Sequence, residues 1–179
     1  MISLKKKYEK EIVPEIKKKF NLSNNFEVPK IEKIVVNAGV GKFLKDSNVV
    51  EEISKALSDI TGQKTVSTKA KQSIAGFKIR EGLEVGMKVT LRGRRMWDFL
   101  EKLSNSALPR IRDFRGLKPS AIDESGNLNI GIKEHLIFPE ILPEQVKNIF
   151  SLQVTITTNA KNKEKGAELF KSLGFPIEK

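Results

Sequence analysis

The chain has 179 residues, 33 lysines and arginines against 22 acids for a formal charge of +11 at pH 7, and a hydrophobic share of 39%. It carries no cysteine and one histidine, His135, which removes disulfides, thiol catalysis and nearly all structural zinc sites. No stretch approaches the roughly 20 apolar residues that cross a bilayer, and MISLKKKYEKEI lacks the apolar segment of a secretion signal, so a cytoplasmic protein without a membrane partner is expected.

In chain order, Ser3 is placed to cap a helix over residues 3–20, where Leu4, Tyr8, Ile12, Ile16 and Phe20 recur every fourth residue and Pro14 introduces a kink. The β-branched run IEKIVVNA at 31–38 predicts a strand. Asp46 or Ser47 opens a second helix with Val49, Val50, Ile53, Leu57 and Ile60 on one side, closed by Gly62. A short strand near 64–69 leads into a basic loop at 71–84, and a strand follows at 85–92. A third helix is expected from about 94 to 107, with Met96, Trp97, Leu100 and Leu103 inward. Strands recur at 128–133 and 152–158, separated by a short helix opened by Pro143, and a last helix at 162–173 ends at Gly174. There is no internal repeat, linker or low-complexity tract. The expected fold is a single α+β domain over 1–179: an antiparallel sheet with helices packed on one face, an RRM-like or ferredoxin-like βαββαβ core plus the N-terminal helix.

Charge is concentrated. Residues 61–95 hold nine bases (Lys64, Lys69, Lys71, Lys78, Arg80, Lys88, Arg92, Arg94, Arg95) against Glu81 and Glu84, whereas the last 59 residues are close to neutral. Solubility alone would be served by scattered charge, so a block of this kind points to nucleic acid. The strands carry a matching pattern. Met87, Val89 and Leu91 alternate with Lys88, Thr90 and Arg92; Ile34 and Val36 alternate with Lys33, Val35 and Asn37; Leu152, Val154 and Ile156 alternate with Gln153, Thr155 and Thr157. One face is apolar and the other is set with Lys, Arg, Thr, Asn and Gln, which reach phosphates, sugar hydroxyls and base edges. The strands present no outward Phe or Tyr for stacking splayed bases, so a folded RNA fits better than an arbitrary single strand.

Catalytic motifs do not assemble. NAGVGKF at 37–43 has a Gly-Lys pair but Val36 and Phe43 where a phosphate loop needs Gly and Ser or Thr. His135 in KEHLIFPE has no companion nucleophile or second acid and reads as structural. Asp123 and Glu124 precede Ser125 and Gly126 in a turn. Trp97 reads as core. No enzyme, metal or cofactor is expected.

The run GQKTVSTKAKQSIAGFKIREG, then GMKVTLRGRRMWDFL, PRIRDFRG, IFPEI, TITTNAK and GFP, strongly resembles the bacterial ribosomal protein L five family, from about residue 4 to the C-terminus and in the family's order. That resemblance implies a large-subunit protein of the central protuberance that binds 5S rRNA and helps attach it to the large-subunit rRNA. It further implies contact with peptidyl-site tRNA and a bridge to a small-subunit head protein. On that basis Lys33, Asn37, Gln63, Lys64, Thr65, Lys88, Thr90 and Arg92 are expected to meet 5S rRNA. Ser73, Ala75, Gly76, Phe77, Lys78, Ile79 and Arg80 are expected to face tRNA, on a loop that is mobile in the free protein and orders on tRNA. PRIRDFRG and the segment near IFPEI are the candidates for the bridge. The isolated protein is expected to be a monomer, ribosome-bound in the cytoplasm; the alternative is a free-standing RNA chaperone or regulator with the same surface.

Overall fold

The computed structural model describes residues 3–43, 46–77, 79–112 and 114–178, without the side chain of Gln145. Five strands, β1 (Ile31–Gly39), β2 (Val66–Lys69), β3 (Glu84–Leu91), β4 (Leu128–Ile132) and β5 (Leu152–Thr158), form one antiparallel sheet in the order β2-β3-β1-β5-β4, with helices packed on it. Removing edge strand β4 leaves β2-β3-β1-β5, the order of the expected ferredoxin-like core. Burial follows the predicted alternation. Met87, Val89 and Leu91 of β3, Ile34 and Val36 of β1, and Leu152, Val154 and Ile156 of β5 are buried, and their strand neighbours are not, apart from Gly86, which is covered by other side chains.

The chain divides into two compact units: Met1–Ile34, Arg92–Ile130 and Thr155–Lys179 in one, Val35–Leu91 and Gly131–Val154 in the other. The first unit contains the N-terminal helix. Its α1 (Leu4–Lys7) runs through a widened π-turn, Tyr8–Ile12, into α2 (Val13–Lys19). Pro14 has no N–H to offer the carbonyl one turn back, and the wider turn just before it absorbs that loss, so the expected kink takes the form of a π-turn. Ile12 and Ile16 are fully buried, and Tyr8 lies 5.4 Å from Trp97, centroid to centroid. The Tyr8 hydroxyl donates to the carbonyl of Pro29 at 3.0 Å, and burial, aided by Glu9, pushes the phenol up to about 12. Trp97 sits on α4 (Gly93–Lys102), whose buried face of Met96, Trp97, Phe99 and Leu100 continues into a π-turn, Leu103–Ala107. Helix α5 (Lys163–Ser172) starts at Asn162, whose side chain accepts from the Glu164 N–H, and Gly174 follows it at φ +91°.

In the second unit, α3 (Ser47–Thr61) buries Ile53, Leu57 and Ile60 and packs on β3. Asp46 holds the cap position without a side-chain bond, and Gly62 closes the helix at φ +65°, where a left-handed backbone is needed. The helix expected at Pro143 is a single 3-10 turn, Pro143–Gln145.

Candidate nucleic-acid interface

In the second unit, pairing of β2 with β3 sets which side chains share a face. Val66 stands opposite Lys88 and Thr68 opposite Gly86, so these residues lie on the side of the sheet away from α3. Lys88 is exposed, Thr90 half-exposed, and Asn37 of β1 exposed. Gly86 is buried beneath this face. A Cβ there would stand 2.7 Å from Thr68 Oγ1, 3.3 Å from the Ala38 carbonyl and 3.9 Å from Asn37 Oδ1. Only a glycine lets these two polar side chains close over β3. Thr68 and Gly86 were missed in the sequence, although an isolated glycine in a strand is a signal of close approach.

A register shift between Thr68 and Lys69 places Lys69 opposite Glu84 and skips Val85. Glu84 therefore falls to the other side, where it accepts from Ser67 Oγ at 2.9 Å. Among the described residues no carboxylate forms an ion pair with Lys88.

Two expected contacts are partly engaged elsewhere. Thr65 Oγ1 and Ser54 Oγ of α3 share a 2.6 Å hydrogen bond, which turns Thr65 toward the helix and away from the open face. Gln63 Nε2 donates to the Thr90 carbonyl at 3.1 Å and ties the turn after α3 to the end of β3, while neighbouring Lys64 is exposed. Lys33 and Arg92 belong to the other unit; Lys33 is half-exposed on β1, and Arg92 is exposed at the cap position of α4.

The basic loop rises between β2 and β3. Its neck is closed by Ala70 N–H to the Leu83 carbonyl (2.8 Å) and Gly82 N–H to the Ala70 carbonyl (3.0 Å). Its tip is closed by reciprocal bonds between Ile74 and Ile79, and Ser73 Oγ accepts from the Glu81 N–H at 2.9 Å. Phe77, 75% exposed, and Ile74 project from the tip, with Ser73, Ala75, Gly76 and Arg80 also exposed and Ile79 half-exposed. Lys78 lies outside the described residues. Among the described residues no carboxylate pairs with Lys64, Lys69, Lys71, Arg80 or Lys88. Exposed cations without carboxylate partners can neutralise phosphates, and an exposed ring can meet a base or sugar.

The remaining polar candidates are structural. His135 is buried, stacks on Phe150 at 4.0 Å, and its Nδ1 accepts from the Phe150 N–H at 3.4 Å. Burial pushes the imidazole pKa down, against an opposing pull from Glu52. Asp123 receives the Asn127 backbone N–H and side-chain amide, both at 2.8 Å, in the turn before β4. Burial raises this carboxyl, and the Asn127 bonds outweigh it and hold the pKa below the ordinary value.

Two family descriptions match this chain: ribosomal protein L5 over residues 24–80, and the C-terminus of the same ribosomal family over residues 84–177. The large ribosomal subunit protein uL5 of Fervidobacterium nodosum is 48% identical over 178 residues, covering 99% of this chain and 97% of that protein. The uL5 proteins of Pseudothermotoga lettingae and Thermus aquaticus are each 49% identical over 178 residues, covering 99% of this chain and 97% and 98% of theirs. Identity near one residue in two, carried through both matched regions and almost end to end, places the chain in the ribosomal protein L5 family.

Proposed function

We propose that this protein is a structural component of the large ribosomal subunit that binds 5S rRNA through the open side of its sheet and helps attach that RNA to the central protuberance. The carrying observation is the polar face on which Thr68 and Asn37 close over Gly86 and Lys88 and Thr90 stand exposed or half-exposed, with no ion pair to Lys88 among the described residues. Cations there fix the phosphate backbone, and the amide and hydroxyls reach sugar hydroxyls and base edges. The exposed loop with Phe77 and Arg80 supplies a second contact, to peptidyl-site tRNA, and the chain bridges to a small-subunit head protein. The role involves no turnover and is carried out on cytoplasmic ribosomes.

The test is a gel-shift panel with 5S rRNA, tRNA and an unrelated hairpin at two salt concentrations. Specific binding retains the preference for 5S rRNA at the higher salt. Binding that ignores RNA identity and falls steeply with salt would reduce the face to a general polycation.

A further inference from the structure

Among the described residues the most exposed large apolar side chain is Phe26, at 87%. It lies in the first unit, on neither the sheet nor the basic loop. Burying a ring of this size ordinarily stabilises a fold, and here almost none of that gain is realised.

The ring stands on a braced turn. Phe26 is the middle residue of a 3-10 turn, Asn25–Glu27, opened by Asn24, whose Oδ1 accepts from the Phe26 N–H at 3.1 Å. The Glu27 N–H reaches the Asn24 carbonyl at 3.2 Å, and the Val28 N–H reaches the Asn25 carbonyl at 3.3 Å. Lys17 Nζ at the end of the N-terminal helix donates to Asn25 Oδ1 at 3.0 Å. On the far side Val28 is buried, the Pro29 carbonyl accepts from Tyr8, and the Lys30 N–H donates to Asn159 Oδ1 at 2.7 Å. The turn is held from both ends while its central ring points into solvent. A ring presented in this way loses little conformational freedom on contact, which favours binding.

The attached segments indicate the kind of partner. The helix that supplies Lys17 continues with Lys18 and Lys19, and the segment that supplies Asn159 continues with Lys161 and Lys163. Lys18, Lys30, Lys161 and Lys163 are exposed, and none of the four has a carboxylate partner among the described residues. An exposed ring on a turn whose bracing segments carry unpaired ammonium groups suits a base with nearby phosphates better than an apolar protein surface, and Glu27 is the one acid within the turn.

We propose that Phe26 is a stacking finger for an unpaired RNA base, a second RNA contact separate from the sheet face and loop. It rests on the reading of this chain as an RNA-binding protein. Full-length Phe26→Trp provides an emission probe at this position over the constant background of buried Trp97. It is titrated with a 5S rRNA transcript, large-subunit rRNA and oligoadenylate, beside gel shifts of Phe26→Ala, Phe26→Leu and Lys88→Ala. The expected result is quenching of the indole at position 26 by RNA, a loss of about tenfold in affinity for Phe26→Ala, and a similar loss for Phe26→Leu, because stacking needs a π-face. An indole left unquenched by all three RNAs overturns the finger. So does wild-type RNA affinity in Phe26→Ala, or full affinity in Phe26→Leu, which would mark an apolar contact such as a protein partner makes. Quenching together with a neutral Lys88→Ala supports the finger and counts against the sheet face. A damaging Lys88→Ala with a neutral Phe26→Ala does the reverse.

Discussion

Gly166 and Gly126 meet backbone to backbone: a Cβ on Gly166 would stand 2.6 Å from both the Cα and the carbonyl oxygen of Gly126. Helix α5 thus rests directly on the turn that precedes β4, and the Gly126 carbonyl also accepts from Thr158 Oγ1 at 2.8 Å. Gly166→Ala is expected to cost about 1–3 kcal/mol, as overpacking of a tight contact does. Thermal unfolding checks this, with Gly39→Ala as the comparison, since a Cβ at Gly39 meets nothing within 4 Å. Equal losses of Tm in both variants would show that the contact yields.

The proposed RNA face and the bonds behind it can be tested separately. Lys88→Ala and Arg92→Ala are each expected to weaken 5S rRNA binding by about 1–3 kcal/mol. Thr65→Val removes the hydroxyl bonded to Ser54, so it is expected to lower stability by about 1 kcal/mol and leave RNA affinity near wild type. Gel shifts and urea unfolding on the same proteins distinguish the two classes, and an RNA defect in Thr65→Val would reassign that side chain.

The loop between β2 and β3 is closed by backbone bonds, yet its tip is exposed and no described tip residue from Ser73 to Phe77 is buried. Few apolar contacts and solvent-exposed bonds mean low local stability. Amide exchange across 72–84 in the free protein is expected to be fast, with protection appearing on adding tRNA. Strong protection without RNA would show a preformed loop.

His135 makes stability depend on pH in a predictable sense. Its pKa is depressed by burial in the folded state, so the unfolded chain binds the proton more readily. The contribution is present above the unfolded value of about 6.5 and is lost as pH falls toward and through the folded value. Urea midpoints are expected to decline over that interval and to lose this part of the slope in His135→Gln. The chain has no other histidine, so a slope that persists in the variant would have to come from carboxylates.

Much of this was legible in the sequence because strand alternation needs no knowledge of partners. Met87, Val89 and Leu91 face the core, and Gly62 ends α3. The bond between Thr65 and Ser54 joins the residue before β2 to α3 across a turn, and no strand period signals it. The meeting of Gly126 with Gly166 joins positions far apart in the chain, and no local period encodes it. Phe26 was passed over because one apolar residue in a polar turn has no pattern; its significance comes from the bonds that brace it.

The β-bulge at Val85 also determines the sign of the charge that this edge of the sheet presents. Were β2 one residue longer at that point, the ladder would run evenly and Glu84 would roll onto the same side as Lys88. Composition and net charge would barely change, yet an anion would then stand beside Lys88. Electrostatic fit at this edge is thus a matter of phase, and an insertion can abolish it without touching a single lysine.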